Sequence, residues 1–352
     1  MRNFSYISRF MERICEFYFA GDKIRCLLCP HKCLIEDGKS GICGTRLNNK
    51  GVLYSLSYGR LCSMCIDPIE KKPLYHFLPG SKVFSVATPG CNFRCLNCQN
   101  WSISQTSSYS SGDYRMTPKD IVDEALRHEA PTIAFTYTEP VISFEYLIDT
   151  FKLAKEKGIR TSIISNGYIN REPLEELCRY LDAANIDLKA FDNSVYRSLT
   201  GASLKPVLDT LITLKKRGVW LEITNLVIPG YNDSPAKMRE MFKWLIDHGF
   251  NNTPVHISRF FPAYQLSKIP PTDIFVMKEA VEIAKEEGMR FIYLGNFPFA
   301  EYCNTHCTCC GSTLVKRGGY NAEVINIVPS AESFSKEGVC GNCKEIIPGI
   351  WH

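Results

Sequence analysis

The residues best suited to chemistry are three cysteines, Cys91-Asn-Phe-Arg-Cys95-Leu-Asn-Cys98, spaced C-x3-C-x2-C directly after an apolar run. Three thiolates leave the fourth iron of a [4Fe–4S] cluster without a protein ligand. An open iron can bind a substrate or cofactor, whereas four thiolates usually close a site for electron transfer or structure. Zinc is the competing metal, but on three thiolates it needs a fourth ligand and rarely takes this spacing.

Other cysteines flank this motif, for the chain has 17 in 352 residues. Cys26-x2-Cys29-x3-Cys33-x9-Cys43 sets four thiols among Gly38, Gly41 and Gly44, in a loop that can close on one metal ion or one cluster. Its spacing does not choose between zinc and [4Fe–4S]. Cys62 and Cys65 can contribute there or form a separate pair. Near the other end, Cys307-x2-Cys310 and Cys340-x2-Cys343 are two knuckles joined by a strand-like segment. That is the pattern of a closed zinc ribbon, with an auxiliary Fe–S cluster as the alternative. Cys303, His306 and Cys309 are spare donors, while Cys15 and Cys178 read as packing residues. A disulfide framework competes with these readings. The cysteine total is odd, however, and the start MRNFSYISRFMERICEF has no apolar h-region and no small-residue cleavage site. Two-residue gaps suit metal held by neighbouring thiolates, so a reducing, cytoplasmic setting is expected.

The elements that must position these groups follow from periodicity. Phe4, Ile7, Met11, Ile14 and Tyr18 step by three and four and predict an N-terminal amphipathic helix. From residue 80 to 300, strands alternate with helices. Predicted strands are 83–88, 132–137, 160–165, 185–189, 219–228, 255–260 and 290–294. The helices start near Pro118, behind Thr117 as N-cap, and then occupy 141–157, 172–180, 205–217, 235–248 and 275–287. Gly158, Gly218, Gly249 and Gly288 each stand just past a helix end. Repeated βαβ units mean a parallel sheet. The expected fold is α/β, a partial (β/α)6-type barrel over 80–300 with Cys-rich metal-binding modules at 1–79 and 301–352. Neither module is long enough to stand on an apolar core alone. In such barrels the site lies at the C-terminal strand ends.

The cysteine motif after the first strand resembles the signature of the radical S-adenosylmethionine (radical SAM) superfamily. The resemblance implies that the open iron binds SAM, and that one electron cleaves the sulfonium to a 5′-deoxyadenosyl radical that abstracts hydrogen. It also implies a flavodoxin- or ferredoxin-like electron donor. Asn97 stands where the superfamily often has an aromatic residue near the adenine, so Asn97 or a neighbour such as Trp101 covers it differently. Glu139, in Thr136-Tyr137-Thr138-Glu139-Pro140, matches a segment that contacts the SAM amino group; a helix N-terminal carboxylate is the alternative. Ser165-Asn166-Gly167 is similar to a segment lining the SAM methionine and ribose, or is a plain turn. Asp187-Leu188-Lys189 resembles the Asp-x-Lys of glycyl-radical activating enzymes, which implies a catalytic Lys189; an exposed strand end is the alternative. Val227–Gly230 and Tyr293-Leu294-Gly295-Asn296 look like adenine-side contacts.

Five further segments narrow the resemblance: Asp67–Phe77, Pro79–Ser81, Cys98–Trp101, Thr136–Pro140 and His256-Ile-Ser-Arg259-Phe-Phe-Pro262. Together they look like the AmmeMemoRadiSam-system radical SAM enzymes, relatives of pyruvate formate-lyase activating enzymes. That family implies Memo-like and AMMECR-like partners and a protein or small-molecule substrate. His256 and Arg259 would face the barrel mouth, where Arg259 suits a carboxylate or phosphate; a structural ion pair is the competing role.

Bulk composition sets the remaining bounds. Apolar residues make up 45% and charged residues 22%, which argues against disorder. Lys plus Arg exceed Asp plus Glu by 41 − 37 = 4, too mild a surplus to indicate nucleic acid. No run approaches 18 apolar residues, so no membrane span is expected. Two alternatives stand beside the radical SAM reading: an RNA-modifying enzyme docking through its ribbon, and a non-catalytic Fe–S or zinc scaffold that binds no SAM.

Overall fold

The computed structural model describes residues 13–105, 114–329 and 337–351. Its centre is one eight-stranded sheet in sequential order: β1 (Ser63–Pro68), β2 (Lys82–Ala87), β3 (Thr132–Phe135), β4 (Arg160–Ser165), β5 (Ala183–Asp187), β6 (Trp220–Val227), β7 (Val255–Arg259) and β8 (Ile292–Gly295). Strands β2 to β8 are all parallel, and β1 adds an antiparallel edge that the sequence reading did not include. Strands such as β3 are buried along their whole length, as a sheet covered on both faces requires.

The covering helices are α2 (Pro118–Arg127), α3 (Phe144–Glu156), α4 (Arg171–Cys178), α5 (Asn193–Thr200), α6 (Leu204–Lys216), α7 (Pro235–Asp247) and α8 (Ile274–Glu286), after a single turn α1 (Trp101–Ser104). Thr117 caps α2 in a reciprocal box with Asp120, which fixes where the chain leaves the cysteine loop. Helix α6 buries Val207, Leu211 and Leu214, spaced by four and three on one face. The sequence reading missed α5, a short helix capped by Asp192 and ended by a left-handed Gly201.

Beyond the sheet, each Cys-rich end forms two small three-stranded sheets. The predicted N-terminal helix is corrected where the structure describes it. Arg13–Ile14 and Tyr18–Phe19 are strands. Ile14 is exposed while Cys15 is buried, an alternation of period two, because Val52–Ser55 recruits this segment as an edge strand. Phe4, Ile7 and Met11 lie outside the described residues. Cys15, Ile24, Leu28 and Ile35 share a buried cluster with the barrel core. A second cluster joins Tyr75, Phe291 and Tyr293 to Cys307, Leu314, Cys340 and Ile347 of the C-terminal end.

Candidate active site and metal centres

The loop after β2 carries Cys91, Cys95 and Cys98, and a cavity of about 250 Å³ opens beside them. Its wall takes residues from every parallel strand end: the three cysteines, Glu139, Asn166, Asp187 with Lys189, Leu226, Ser258 and Asn296. Adjacent strands stand about 4.8 Å apart, so a flat sheet would spread seven of them over about 29 Å. One cavity touching all seven therefore requires the sheet to curl around it.

Polar groups of this wall are held from behind. Glu139 is fully buried; its Oε1 accepts from Ser165 Oγ (2.7 Å) and Val141 N (3.0 Å), and its Oε2 from Asn166 N (2.9 Å). Burial pushes its pKa up to about 7 against the pull of these donors. A carboxylate has about four acceptor positions, so a further donor, such as an ammonium, can still be received. Gly167, at positive φ, turns the chain sharply after Asn166; a Cβ there would come within 2.9 Å of Ile186. Asn166 Nδ2 donates to Asn92 Oδ1 (2.8 Å) and lies 3.8 Å from Cys91 Sγ. Lys189 donates to Asp187 (2.7 Å). Burial works against the Lys189 charge, yet Asp187 and Cys95 outweigh it and its pKa rises. Burial pushes the Cys95 thiol up to about 12 and raises Cys91 as well, so a soft metal must displace these protons when it binds.

Two features fit an iron–sulfur cluster and a ligand beside it. Cys91, Cys95 and Cys98 all line this one cavity, three thiols that can each take a separate iron of one cluster. Asn97 is buried, lines the cavity and leaves its Oδ1 without a partner. A buried acceptor without a donor is costly, and a ligand amine or hydroxyl in the cavity would satisfy it.

A second chamber of about 770 Å³ adjoins the first and shares Gln99, Ser258 and Asn296 with it. His256, Arg259 and Gly295 line this chamber and not the cavity beside the cysteines. Arg259 donates through Nε to Thr272 O (2.6 Å) and stacks over Phe261. His256 is buried, 2.6 Å from Glu222 Oε2. Tyr293 lies deeper, and neither cavity includes it. Its hydroxyl meets His76 Nε2 (2.5 Å) and Thr305 (2.9 Å), stitching the C-terminal end to the barrel. Arg317 and Glu70 close the chamber; Arg317 Nε lies 3.9 Å from Glu70 Oε1 as an ion pair, and it and Glu70 Oε2 are buried without a hydrogen bond.

Sequence reasoning gave no role to Leu226 and Arg317, and it met Ser258, Gln99 and Glu70 only as members of the segments that narrow the resemblance. Their types are ordinary, and only the curl of the sheet brings them to the cavities. Tyr137 had one visible signal, its place in the Thr136–Pro140 segment; its backbone has positive φ and its hydroxyl bonds Asp67.

At the C-terminal end, the sulfurs of Cys307, Cys310, Cys340 and Cys343 all lie within 4.8 Å of one another. Cys307 and Cys343 are 3.5 Å apart, and Cys310 and Cys340 3.7 Å. A zinc ion with Zn–S of about 2.3 Å sets a tetrahedral edge of about 3.8 Å. Cys303 instead points its thiol at Leu294 O. Cys62 faces Ala87 O, and Cys65 is exposed on β1; neither lines the cavity shared by Cys26, Cys29, Cys33 and Cys43.

Parts of this chain are similar to known proteins. The Radical SAM superfamily model matches residues 85–245, from β2 into α7. An uncharacterized protein of Methanocaldococcus jannaschii is 45% identical over 306 residues, which are 87% of this chain and 91% of that protein. Pyruvate formate-lyase-activating enzyme of Clostridium pasteurianum is 28% identical over 161 residues, 43% of this chain and 64% of that enzyme. Pyruvate formate-lyase 1-activating enzyme of Escherichia coli K12 is 27% identical over 168 residues, 46% and 67% of the two chains. The chain thus spans just under two thirds of the Clostridium enzyme. Among solved structures, Streptococcus suis SuiB bound to S-adenosylmethionine aligns with a TM-score of 0.49 at 15% identity, over 65% of this chain and 53% of that one. Among the described residues, no helix is long and apolar enough to cross a membrane.

Proposed function

We propose, for a chain that belongs to the radical SAM superfamily, that hydrogen abstraction begins in the cavity beside Cys91, Cys95 and Cys98 and acts on a polar substrate held in the adjoining chamber. The observation that carries this reading is the meeting of all seven parallel strand ends around one cavity that abuts a second, larger one. When bound, a [4Fe–4S] cluster supplies one electron and an open iron, and SAM supplies the 5′-deoxyadenosyl radical.

The chain's own residues do the rest. Cys91, Cys95 and Cys98 hold three irons. Glu139, fixed by three donors, receives the SAM ammonium in its ionised form, which a neighbouring cation favours. Asn97 Oδ1 takes a hydrogen bond from the nucleoside portion. Lys189 and Asp187 stand as a neutralising pair beside Cys95. In the chamber, Arg259 and Arg317 favour a polar or anionic group and Glu70 a donor, because Arg317 Nε, ion-paired with Glu70 Oε1, and Glu70 Oε2 are buried without hydrogen bonds and reward a ligand that supplies them. Four thiols at the C-terminal end hold zinc and brace the chamber wall built by Cys303, Arg317 and Tyr320.

We place the chain in the AmmeMemoRadiSam system on the segments from Asp67 to Phe77 and from His256 to Pro262, with Memo-like and AMMECR-like proteins as partners and a flavodoxin- or ferredoxin-like protein as electron donor. Hydrogen abstraction then resembles glycyl-radical activation without sharing its target. Arg259→Ala tests the chamber: substrate turnover falls while SAM binding and iron content stay. Equal loss of SAM binding would move Arg259 to the cofactor. Mixing the reduced protein and SAM with pyruvate formate-lyase tests the target; a strong stable glycyl signal in electron paramagnetic resonance would make that enzyme the substrate.

A further inference from the structure

Three groups of cysteines in this chain allow an internal comparison. The C-terminal four are gathered to the spacing of one ion, with all sulfurs within 4.8 Å. No three of Cys26, Cys29, Cys33 and Cys43 come that close, and the same is true of Cys91, Cys95 and Cys98. Yet the N-terminal four all line one small cavity, together with Leu28, Ile35 and Ile42. Four thiols around a shared space, set wider than a zinc tetrahedron, match ligands that each take a different iron of a cube.

A second observation points to a ligand in that space. Arg46 lines the same cavity and is 1% exposed. Its Nη2 donates to both oxygens of Glu145 at 2.8 Å, but Nε and Nη1 have no partner. A buried guanidinium with two idle donors is costly unless an anionic acceptor faces it. A cluster bound by four thiolates carries negative charge and sulfides that accept hydrogen bonds.

Position indicates what such a cluster would do. Asn92, next to Cys91, forms part of the cavity wall, and its carbonyl lies 2.8 Å from His31 Nε2. Arg94 donates to Cys91 O at 2.8 Å and to Ile42 O, bridging the two loops. Gly90 runs so close to Cys43 that a Cβ would fall 2.7 Å from its carbonyl oxygen. The loop of Cys91 and the N-terminal cysteine loop are thus in direct contact through backbone and through Asn92, His31 and Arg94.

We infer that Cys26, Cys29, Cys33 and Cys43 hold a second [4Fe–4S] cluster, closed to substrate by its four protein ligands, that relays electrons to the cluster on Cys91, Cys95 and Cys98. The relay moves one electron at a time: a low-potential electron-carrier protein is oxidised, the N-terminal cluster is reduced and then reoxidised, and SAM is the final acceptor. The inference rests on the radical SAM reading only for the electron's destination. Iron, acid-labile sulfide and zinc measured on anaerobically purified full-length protein test it. The triple variant Cys91→Ala/Cys95→Ala/Cys98→Ala keeps about half the iron and sulfide, with a dithionite-reduced cluster signal that SAM does not shift. Cys29→Ala/Cys43→Ala loses the other half and retains the SAM-sensitive signal. A triple variant without iron, or a double variant that loses zinc and no iron, would overturn the second cluster. If the double variant does not fold, the iron content of the triple variant decides alone. Failure of the radical SAM reading looks different: wild-type protein then retains both clusters but shifts neither signal with SAM.

Discussion

Glu222 offers a perturbation whose size can be worked out. Its buried carboxylate accepts four hydrogen bonds: Tyr75 N (2.9 Å) and His256 Nε2 (2.6 Å) on Oε2, and His76 N (2.8 Å) and Trp220 Nε1 (3.0 Å) on Oε1. These bonds fasten the segment before β2 to the inside of the barrel, and Tyr75 and His256 both line the larger chamber. Glu222→Gln keeps one acceptor oxygen and replaces the other with a donor. His256 can switch tautomer and accept from the new amide, but one backbone N–H is left facing another donor. That orphan costs about 1–3 kcal/mol, and the surviving bonds fall from charge-assisted to neutral strength at roughly 1 kcal/mol each. The expected loss is about 3–5 kcal/mol, similar to breaking a buried ion pair. Urea unfolding of the metal-loaded protein, followed by tryptophan fluorescence, should show a lower midpoint at unchanged slope. A loss below about 1 kcal/mol would refute the claim that this carboxylate anchors the chamber floor.

Three other outcomes are expected. His76 is buried, and burial holds its pKa down to about 4 from 6.5; its Nδ1 donates to Pro348 O while Nε2 accepts from Tyr293. Because the folded value is below the unfolded one, its contribution is complete above pH 6.5 and about 3 kcal/mol is lost as pH falls towards 4; limited proteolysis of the C-terminal end at pH 7.5 and 5 checks this, and equal rates would contradict it. Cys310→Ser/Cys343→Ser should release one zinc per chain by elemental analysis and loosen residues 304–329 and 337–351, since binding and folding are coupled in such sites; unchanged zinc would contradict the ribbon. Asn97→Leu should weaken SAM binding about tenfold in equilibrium dialysis of the unreduced, cluster-loaded protein, by removing one hydrogen bond; an unchanged affinity would place Oδ1 away from SAM.

The barrel was legible because its signals are local. Alternating strands and helices, the Thr117 cap and the glycines after four helices each act within a few residues. The N-terminal segment misled for the same reason: Ile14 and Tyr18 fit a helical period, but pairing with Val52–Ser55 and Ile24–Cys26 overrides it. At the site, Cys91, Glu139, Asn166 and Asp187 could be found because each follows or ends a strand. His256 reads in sequence as a substrate-side residue and Tyr293 as an adenine-side contact, and strand register turns both towards Tyr75. The pairing of Glu70 with Arg317 stays invisible at the sequence level, because 247 residues separate the two and only the fold brings them together.

The central claim is that the three thiols after β2 support reductive cleavage of SAM, and product analysis tests it most directly. Anaerobically reconstituted protein, reduced with dithionite and given SAM, should release 5′-deoxyadenosine and methionine in equal amounts. The Cys91→Ala/Cys95→Ala/Cys98→Ala variant, still folded and still holding its N-terminal metal, should release neither. Undiminished 5′-deoxyadenosine from that variant would contradict the account.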